Sequence, residues 1–280
     1  MSHDAPWWDS FWRDKIRTRI GLGPADDATW FGLVWRVALE QLSELFDRRA
    51  PGKDLLECGC GSARVSRHMA SAGGYRCTMV DYSRAAIQVA VENFASAGLA
   101  GRFVVGDLRG LSFSDGRFDV AYCGGVLEFF PDPGQPIREM VRVLKPGGLF
   151  AANIVPRKFS IQSIADIERT VAYSLGNAAR GRFKDALKIS QSVPRNYGVS
   201  RAPLDAYLDA CREAGLESVA GFAVTPFPAL AMPKAGQKLY GRLLAALLPS
   251  WRRFNRSRGR WAKTWGLGYL IYGVKGTRPS

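Results

Sequence analysis

The sequence predicts an α/β chain: a doubly wound, mostly parallel seven-stranded sheet with N-terminal helices and an inserted helical cap. Three observations carry this. From Lys53 to about Phe150, short apolar runs alternate with helix-like segments, the pattern of parallel strands joined by crossover helices. The first run, Asp54-Leu-Leu-Glu-Cys58, passes through Gly59 and Gly61 into a helix start, a tight turn of the kind that brings backbone N–H groups up to a ligand. Glu57, Asp81 and Asp107 fall at the carboxyl ends of three successive strands, beside the crevice where such sheets bind ligands.

Taken in order, Trp7–Ile20 and Thr29–Arg48 carry apolar residues at helical spacing and form a helical lid over residues 1–50. Trp7, Trp8, Phe11, Trp12 and Trp30 either pack on the core or enclose a ligand. The core, residues 51–155, holds strands at Asp54–Cys58, Tyr75–Val80, Arg102–Val105, Phe118–Cys123 and Gly148–Ile154. Helices fill the gaps at Ala63–Ala72, Arg84–Ala97 and Pro136–Val143; Ser83 caps the second, Gly98 stops it, and Lys145-Pro-Gly-Gly148 turns the chain after the third. Residues 156–200 are helix-forming and interrupt the alternation, as an inserted cap would. In 201–280 the alternation resumes with helix Ala202–Ala214, strand Leu216–Val224, a basic helical segment Lys234–Arg260 and strand Gly266–Val274.

The net charge of +14 is unevenly placed. Residues 1–150 hold 18 Lys/Arg and 18 Asp/Glu, residues 151–280 hold 21 and 7, and no acid follows Glu217. Such a field attracts an acidic substrate, an acidic protein, anionic lipid or nucleic acid. The start of the chain does not read as a signal peptide and no run of about 18 apolar residues occurs, so the expectation is a cytoplasmic chain with at most peripheral membrane contact. Cysteines 58, 60, 77, 123 and 211 lack metal-site spacing; no metal is expected.

A dinucleotide turn needs G-x-G-x-x-G, and Arg64 stands where the third glycine belongs. A ligand with a ribose and a carboxylate but no pyrophosphate tolerates that change. Asp81, 20 positions after Gly61, is placed to accept from ribose hydroxyls, and Asp107 from an exocyclic adenine amine beside the apolar wall of Leu108. Together, Glu57-x-Gly59-x-Gly61 with Ala63, Asp81, Gly106-Asp107-Leu108, Phe118-Asp-Val120 and Leu144-Lys-Pro-Gly-Gly148 resemble the ordered motifs of class I S-adenosylmethionine-dependent methyltransferases, over about residues 50–155. The resemblance implies a Rossmann-like fold and S-adenosyl-L-methionine as cofactor. It implies contacts from Gly59, Gly61, Asp81, Asp107 and Leu108, with Glu57 and Cys60 in the same turn and Tyr82 flanking adenine. By the same resemblance the backbone at Cys123 and Gly124 approaches the methionine amine, with Cys123 as cofactor-side wall.

The acceptor side departs from the family's pattern. Many small-molecule members read Leu-Glu-His after the fourth strand; here it is Leu127-Glu128-Phe129. Only His3 and His68 remain, and His68 falls inside a core helix as a structural residue. Neither Asn/Asp-Pro-Pro-aromatic nor Pro-Cys, the patterns of enzymes acting on nucleobases, is present. Positioning and exclusion of water can supply much of a methyl transfer. For a hydroxyl acceptor, Glu128, Tyr197 or a water takes the proton. The leading expectation is a bulky, partly apolar small-molecule acceptor, with Tyr173, Phe183, Tyr197, Phe222 and Phe227 as aromatics around it. The alternatives are an RNA methyltransferase, from Trp251, Phe254 and Trp261 among arginines, and a cofactor-binding protein with a non-methyl reaction such as cyclisation. In the basic segment 234–263, leucines recur at helical spacing until Pro249. They either pack on the sheet or rest on an anionic membrane.

Overall fold

The computed structural model describes residues 4–18, 29–186, 200–230 and 232–277. Helices α1 (Ala5–Thr18) and α2 (Trp30–Arg49) precede β1 (Asp54–Cys58), α3 (Arg64–Gly73), β2 (Arg76–Asp81), α4 (Arg84–Ser96) and β3 (Arg102–Val105). Then come β4 (Phe118–Gly124), a single 3-10 turn at Leu127–Phe129, α5 (Gly134–Arg142) and β5 (Leu144–Ile154). The rest comprises α6 (Gln162–Ala179), the short α7 (Phe183–Ala186), α8 (Leu204–Glu213), β6 (Leu216–Val224), α9 (Lys234–Ala246), α10 (Leu248–Phe254), α11 (Arg260–Trp265) and β7 (Gly268–Lys275). The seven strands form one sheet in the order β3-β2-β1-β4-β5-β7-β6. Strands β1 to β5 pair in parallel, and β7 runs antiparallel to both β5 and β6. The order reverses between β1 and β4, which is where a doubly wound sheet opens its ligand crevice.

Both faces of the sheet are covered, so its strands are apolar on consecutive residues rather than alternately. Leu55, Val120 and Leu149 turn to one face, onto Leu42 and Phe46 of α2, Met69 of α3 and Phe94 of α4. Their neighbours Leu56, Ala121 and Phe150 turn to the other, onto Ile137 and Met140 of α5 and Tyr207 and Cys211 of α8. Helices α2 and α4 begin as their sequences require: Thr29 accepts from the Gly32 amide and Ser83 from the Ala86 amide.

Two expectations change. Lys145-Pro-Gly-Gly148 is not a turn ahead of the strand but lies within β5, which starts at Leu144 and bulges against Asp119, with Gly147 at φ +76°. The side chains hold this bulge: Asp119 accepts from Lys145 Nζ at 3.0 Å and from the Asp54 amide at 2.9 Å. The basic segment, in turn, breaks into α9, α10 and α11; α9 ends at Ala246, with Leu247 as its cap, because Pro249, in the first turn of α10, has no N–H to continue its hydrogen-bond ladder. Its apolar face packs on α2 rather than on the sheet: Leu244, Leu248 and Trp251 are buried against Leu33 and Val37. Trp251 is therefore not available to stack on a nucleobase, and Arg252 and Arg256 pair with Glu40 and Glu44 of α2. No helix among the described residues is long and apolar enough to cross a membrane.

Candidate active site

A cavity of about 1640 Å³ opens at the carboxyl ends of β1, β2 and β4. The glycine turn forms its floor. Gly59, Gly61 and Ala63 all take the left-handed backbone conformation, at φ +65°, +52° and +53°. A Cβ on Gly59 would meet Val126 at 2.5 Å, and one on Gly61 would meet the Trp12 ring at 2.6 Å, so the side-chain-free positions are required by protein contacts alone.

The acids at the strand ends brace this turn. Asp81 Oδ2 accepts from the Gly61 amide at 2.8 Å and Oδ1 from the Ser83 amide at 2.9 Å. Glu57 Oε2 accepts from the Ser66 amide in the first turn of α3 at 2.9 Å. Burial pushes the Glu57 carboxyl up to about 7, and the neighbouring Asp81 adds to the effect. Burial likewise raises Asp81, opposed by the amides that donate to it. Both line the cavity, each with lone pairs left to accept from a ligand.

Other expected residues divide. Gly59, Cys60, Gly61, Tyr82, Leu108 and Gly124 line the same cavity. Cys123 does not: its side chain is fully buried in the core with Cys58 and Leu127, because β4 alternates and Tyr122 and Gly124 hold the cavity side. Asp107 lines the cavity, yet its carboxylate accepts from the Arg109 amide, Nε and Nη2 at 2.6–3.1 Å, which holds it below the usual carboxylate range and uses most of its acceptor capacity. The expected bond from an exocyclic amine thus competes with a bidentate arginine. Tyr197 lies outside the described residues. Of the other aromatics expected around an acceptor, Phe183 is exposed, Phe222 stacks on Tyr272 and Phe227 packs on Trp251; none of these, nor Tyr173, lines the cavity. Its aromatic lining comes instead from Trp7, Trp8, Phe11 and Trp12 of α1, Trp35 of α2 and the Phe129-Phe130 pair, with Tyr82 and Tyr122 at the strand ends. His68 faces away, with its Nε2 3.1 Å from Ser43 Oγ.

Glu128 sits in the 3-10 turn after β4, 2% exposed. Oε1 accepts from the Val155 amide at 3.1 Å, while Oε2 is buried without a hydrogen-bond partner in the described structure. Burial pushes this carboxyl up to about 7. A buried acid with one free oxygen on a cavity wall, poised near neutral pH, has the properties of a general base.

Three contributors carry no motif. Asp9 on α1 accepts from Ser83 Oγ at 2.5 Å and from the Ala85 amide at 3.2 Å, capping α4 beside Asp81. Arg109 follows the third-strand acid. Lys158 donates to the carbonyls of Lys263 and Thr264 at the end of α11, lies 4.6 Å from the Tyr269 ring centre, and is pulled down to about 8 by burial. Only Asp9 had a signal, an acid on the face of an aromatic-rich helix. Among the described residues no cluster of His, Cys, Asp or Glu could hold a metal ion.

A model of the methyltransferase domain matches residues 56–152. The chain is 34% identical over 103 residues to the 2-methyl-6-phytyl-1,4-hydroquinone methyltransferase of Synechocystis, which covers 37% of this chain and 32% of that protein. It is 27% identical over 238 residues to the 27-O-demethylrifamycin SV methyltransferase of Amycolatopsis mediterranei, covering 83% and 78%. The chain spans from about a quarter to a half of the length of several curated relatives whose identity exceeds 30%. Its fold is shared by the [4+2]-cyclase SpnF at a TM-score of 0.62 and 17% identity, over 99% of this chain and 98% of that one.

Proposed function

We propose that the chain is a class I S-adenosylmethionine-dependent methyltransferase that carries the cofactor's methyl group to a bulky, partly apolar small molecule by in-line displacement. The residues present fit the cofactor. Glu57 and Asp81, buried and acidic, suit a ligand that carries a sulfonium and an ammonium group, and Leu108 with Tyr82 suits a flat base. Arg64 in place of a third glycine suits a ligand without a pyrophosphate. Bound there, S-adenosylmethionine supplies an electrophilic methyl group.

The protein's part is to position and to exclude water. Helix α1 lies across the glycine turn through Trp12 and reaches Phe129 through Trp8, whose rings meet edge to face at 5.0 Å. Glu128, with Oε1 fixed by the Val155 amide, keeps Oε2 to take the proton of a hydroxyl acceptor. One observation carries this reading: a single cavity joins the glycine turn and Asp81 to Glu128 and the apolar Phe129, Ile154 and Val155. At about 1640 Å³ it exceeds the roughly 300–1,000 Å³ of an ordinary ligand site, leaving room for an acceptor beside a cofactor. The names of the two relatives, a phytyl hydroquinone and an O-demethylrifamycin methyltransferase, support a large acceptor bearing a hydroxyl.

Native mass spectrometry of the purified protein, with time courses of S-adenosylhomocysteine release against phytylated and polyketide hydroxyaromatics, tests the reading. Methylated product formed in step with S-adenosylhomocysteine is the expected result. Turnover of an acceptor without that release would instead favour the non-methyl alternative, and failure to bind either form of the cofactor would sink both.

A further inference from the structure

We propose that α9 docks this protein on an anionic lipid surface. Leu239, Leu243 and Leu247 recur at four-residue spacing along the helix and its C-terminal cap and are 70%, 57% and 37% exposed. The opposite side, with Leu244 and Leu248, is buried on α2. Lys238 and Arg242 border the exposed leucines, and they, like Arg253 on α10, are exposed and make no ion pair among the described residues.

Charge selects the partner. Residues 234–263 hold nine lysines and arginines and no acid, so an apolar strip with a purely basic border faces outward, the form that lies in the plane of an anionic bilayer. The exposed strip on α6, Ile164, Ile167 and Val171, is as apolar but carries Asp166 and Glu168 and lacks that complementarity. Arg252, Arg256 and Trp251 belong to the packing on α2 and take no part. The same segment reaches the cavity: Asn255, which caps α10, and Leu267, which follows α11, both line it. Docking would hold the segment that lines this part of the cavity at the lipid, which suits a lipophilic acceptor; this purpose, though not the contact itself, rests on the function proposed above.

Flotation of the full chain with phosphatidylcholine vesicles, with and without phosphatidylglycerol, tests the contact. The wild type is expected to float with the anionic vesicles at low salt and to be released in about 0.5 M salt, where surface charges are screened. Leu239→Glu with Leu243→Glu should abolish flotation. Lys238→Gln with Arg242→Gln should weaken it about 25-fold, roughly fivefold for each basic residue removed. Ile164→Glu with Ile167→Glu should float as the wild type. Calorimetry with S-adenosylhomocysteine on each variant reports the cofactor site independently: loss of that binding in the wild type would refute the proposed function, not the docking. No flotation of the wild type at low salt, or unchanged flotation of the paired leucine variant, would overturn the docking proposal.

Discussion

Glu128→Gln removes one charge from the cavity wall while keeping the side chain's shape and an oxygen to accept from the Val155 amide. Burial holds the Glu128 carboxyl at about 7 in the folded protein, against 4.5 for the free side chain. At about 1.4 kcal/mol per pH unit, that separation is on the order of 3 kcal/mol. Because the folded-state value is the higher, the native protein binds more protons than the unfolded chain between the two. Stability should therefore fall as pH rises from about 4.5 to about 7, and above that the native state bears the full cost of a buried charge. Glutamine carries no such cost. The variant should be more stable than the wild type at about pH 8, by up to about 3 kcal/mol, and nearly equal to it at about pH 4.5; Glu57, buried in both, cancels from the difference. If the Oε2 atom takes the acceptor's proton, the same variant should lose about 10²–10⁴ in kcat with a hydroxyl acceptor, and the wild type's rise in kcat/KM with a midpoint near pH 7 should vanish. Urea unfolding at the two pH values and initial rates of S-adenosylhomocysteine formation measure both effects. A variant less stable than the wild type at about pH 8, with unaltered kcat, would refute the reasoning and make Glu128 a structural residue.

Asp81→Ala should weaken S-adenosylhomocysteine binding by about 1.5–3 kcal/mol in calorimetry, as one lost hydrogen bond to a charged group would, and an unchanged affinity would mean that the ribose is held elsewhere. The wild type should bind S-adenosylhomocysteine more tightly than NADH in the same experiment; the reverse order would overturn the assignment of the glycine turn. Asp9→Ala removes the acceptor that α1 offers to Ser83 and the Ala85 amide, and should lower thermal stability by about 1 kcal/mol while raising the cofactor's dissociation rate in stopped-flow fluorescence. An unaltered dissociation rate would show that α1 does not cover the cofactor end.

The sheet was legible because its signals are local and repeated. Strands β1 to β4 are each a short apolar run closed by glycine or an acid, and the predicted ends fall within a residue or two of the observed ones for β1, β2, β3, β4, β6 and β7. The start of β5 was not, since Lys145-Pro-Gly-Gly148 has the composition of a turn, and it is held in the sheet as a bulge by contacts distant in sequence, Asp119 and Asp54 on Lys145 and Lys275 on the Leu144 carbonyl. The glycine turn and the strand-end acids were legible for the same local reason. What surrounds them was not: Trp12 on Gly61 and Asp9 on Ser83 join residues 49 and 74 positions apart, and no pattern within one segment encodes such contacts. Periodicity identified an apolar face on the basic segment but not its partner, which proved to be α2.

One helix connects the two ends of the cavity, and this bears on how the site works. Along the 14 residues of α1, Asp9 meets the start of α4, Trp12 rests on Gly61 and Trp8 meets Phe129 beside Glu128. These three contacts are with loop or helix-end residues, whereas α2 buries Leu33, Val37, Leu42 and Phe46. None of residues 5–14 of α1 is fully buried, so this helix is anchored by less apolar burial than α2. Under the function proposed above, the same helix touches the cofactor end and the acceptor end, so a ligand that orders it at one end should make binding at the other less costly. On that reading, exclusion of water around Glu128 should follow from filling both halves of the cavity rather than be a fixed property of the folded chain.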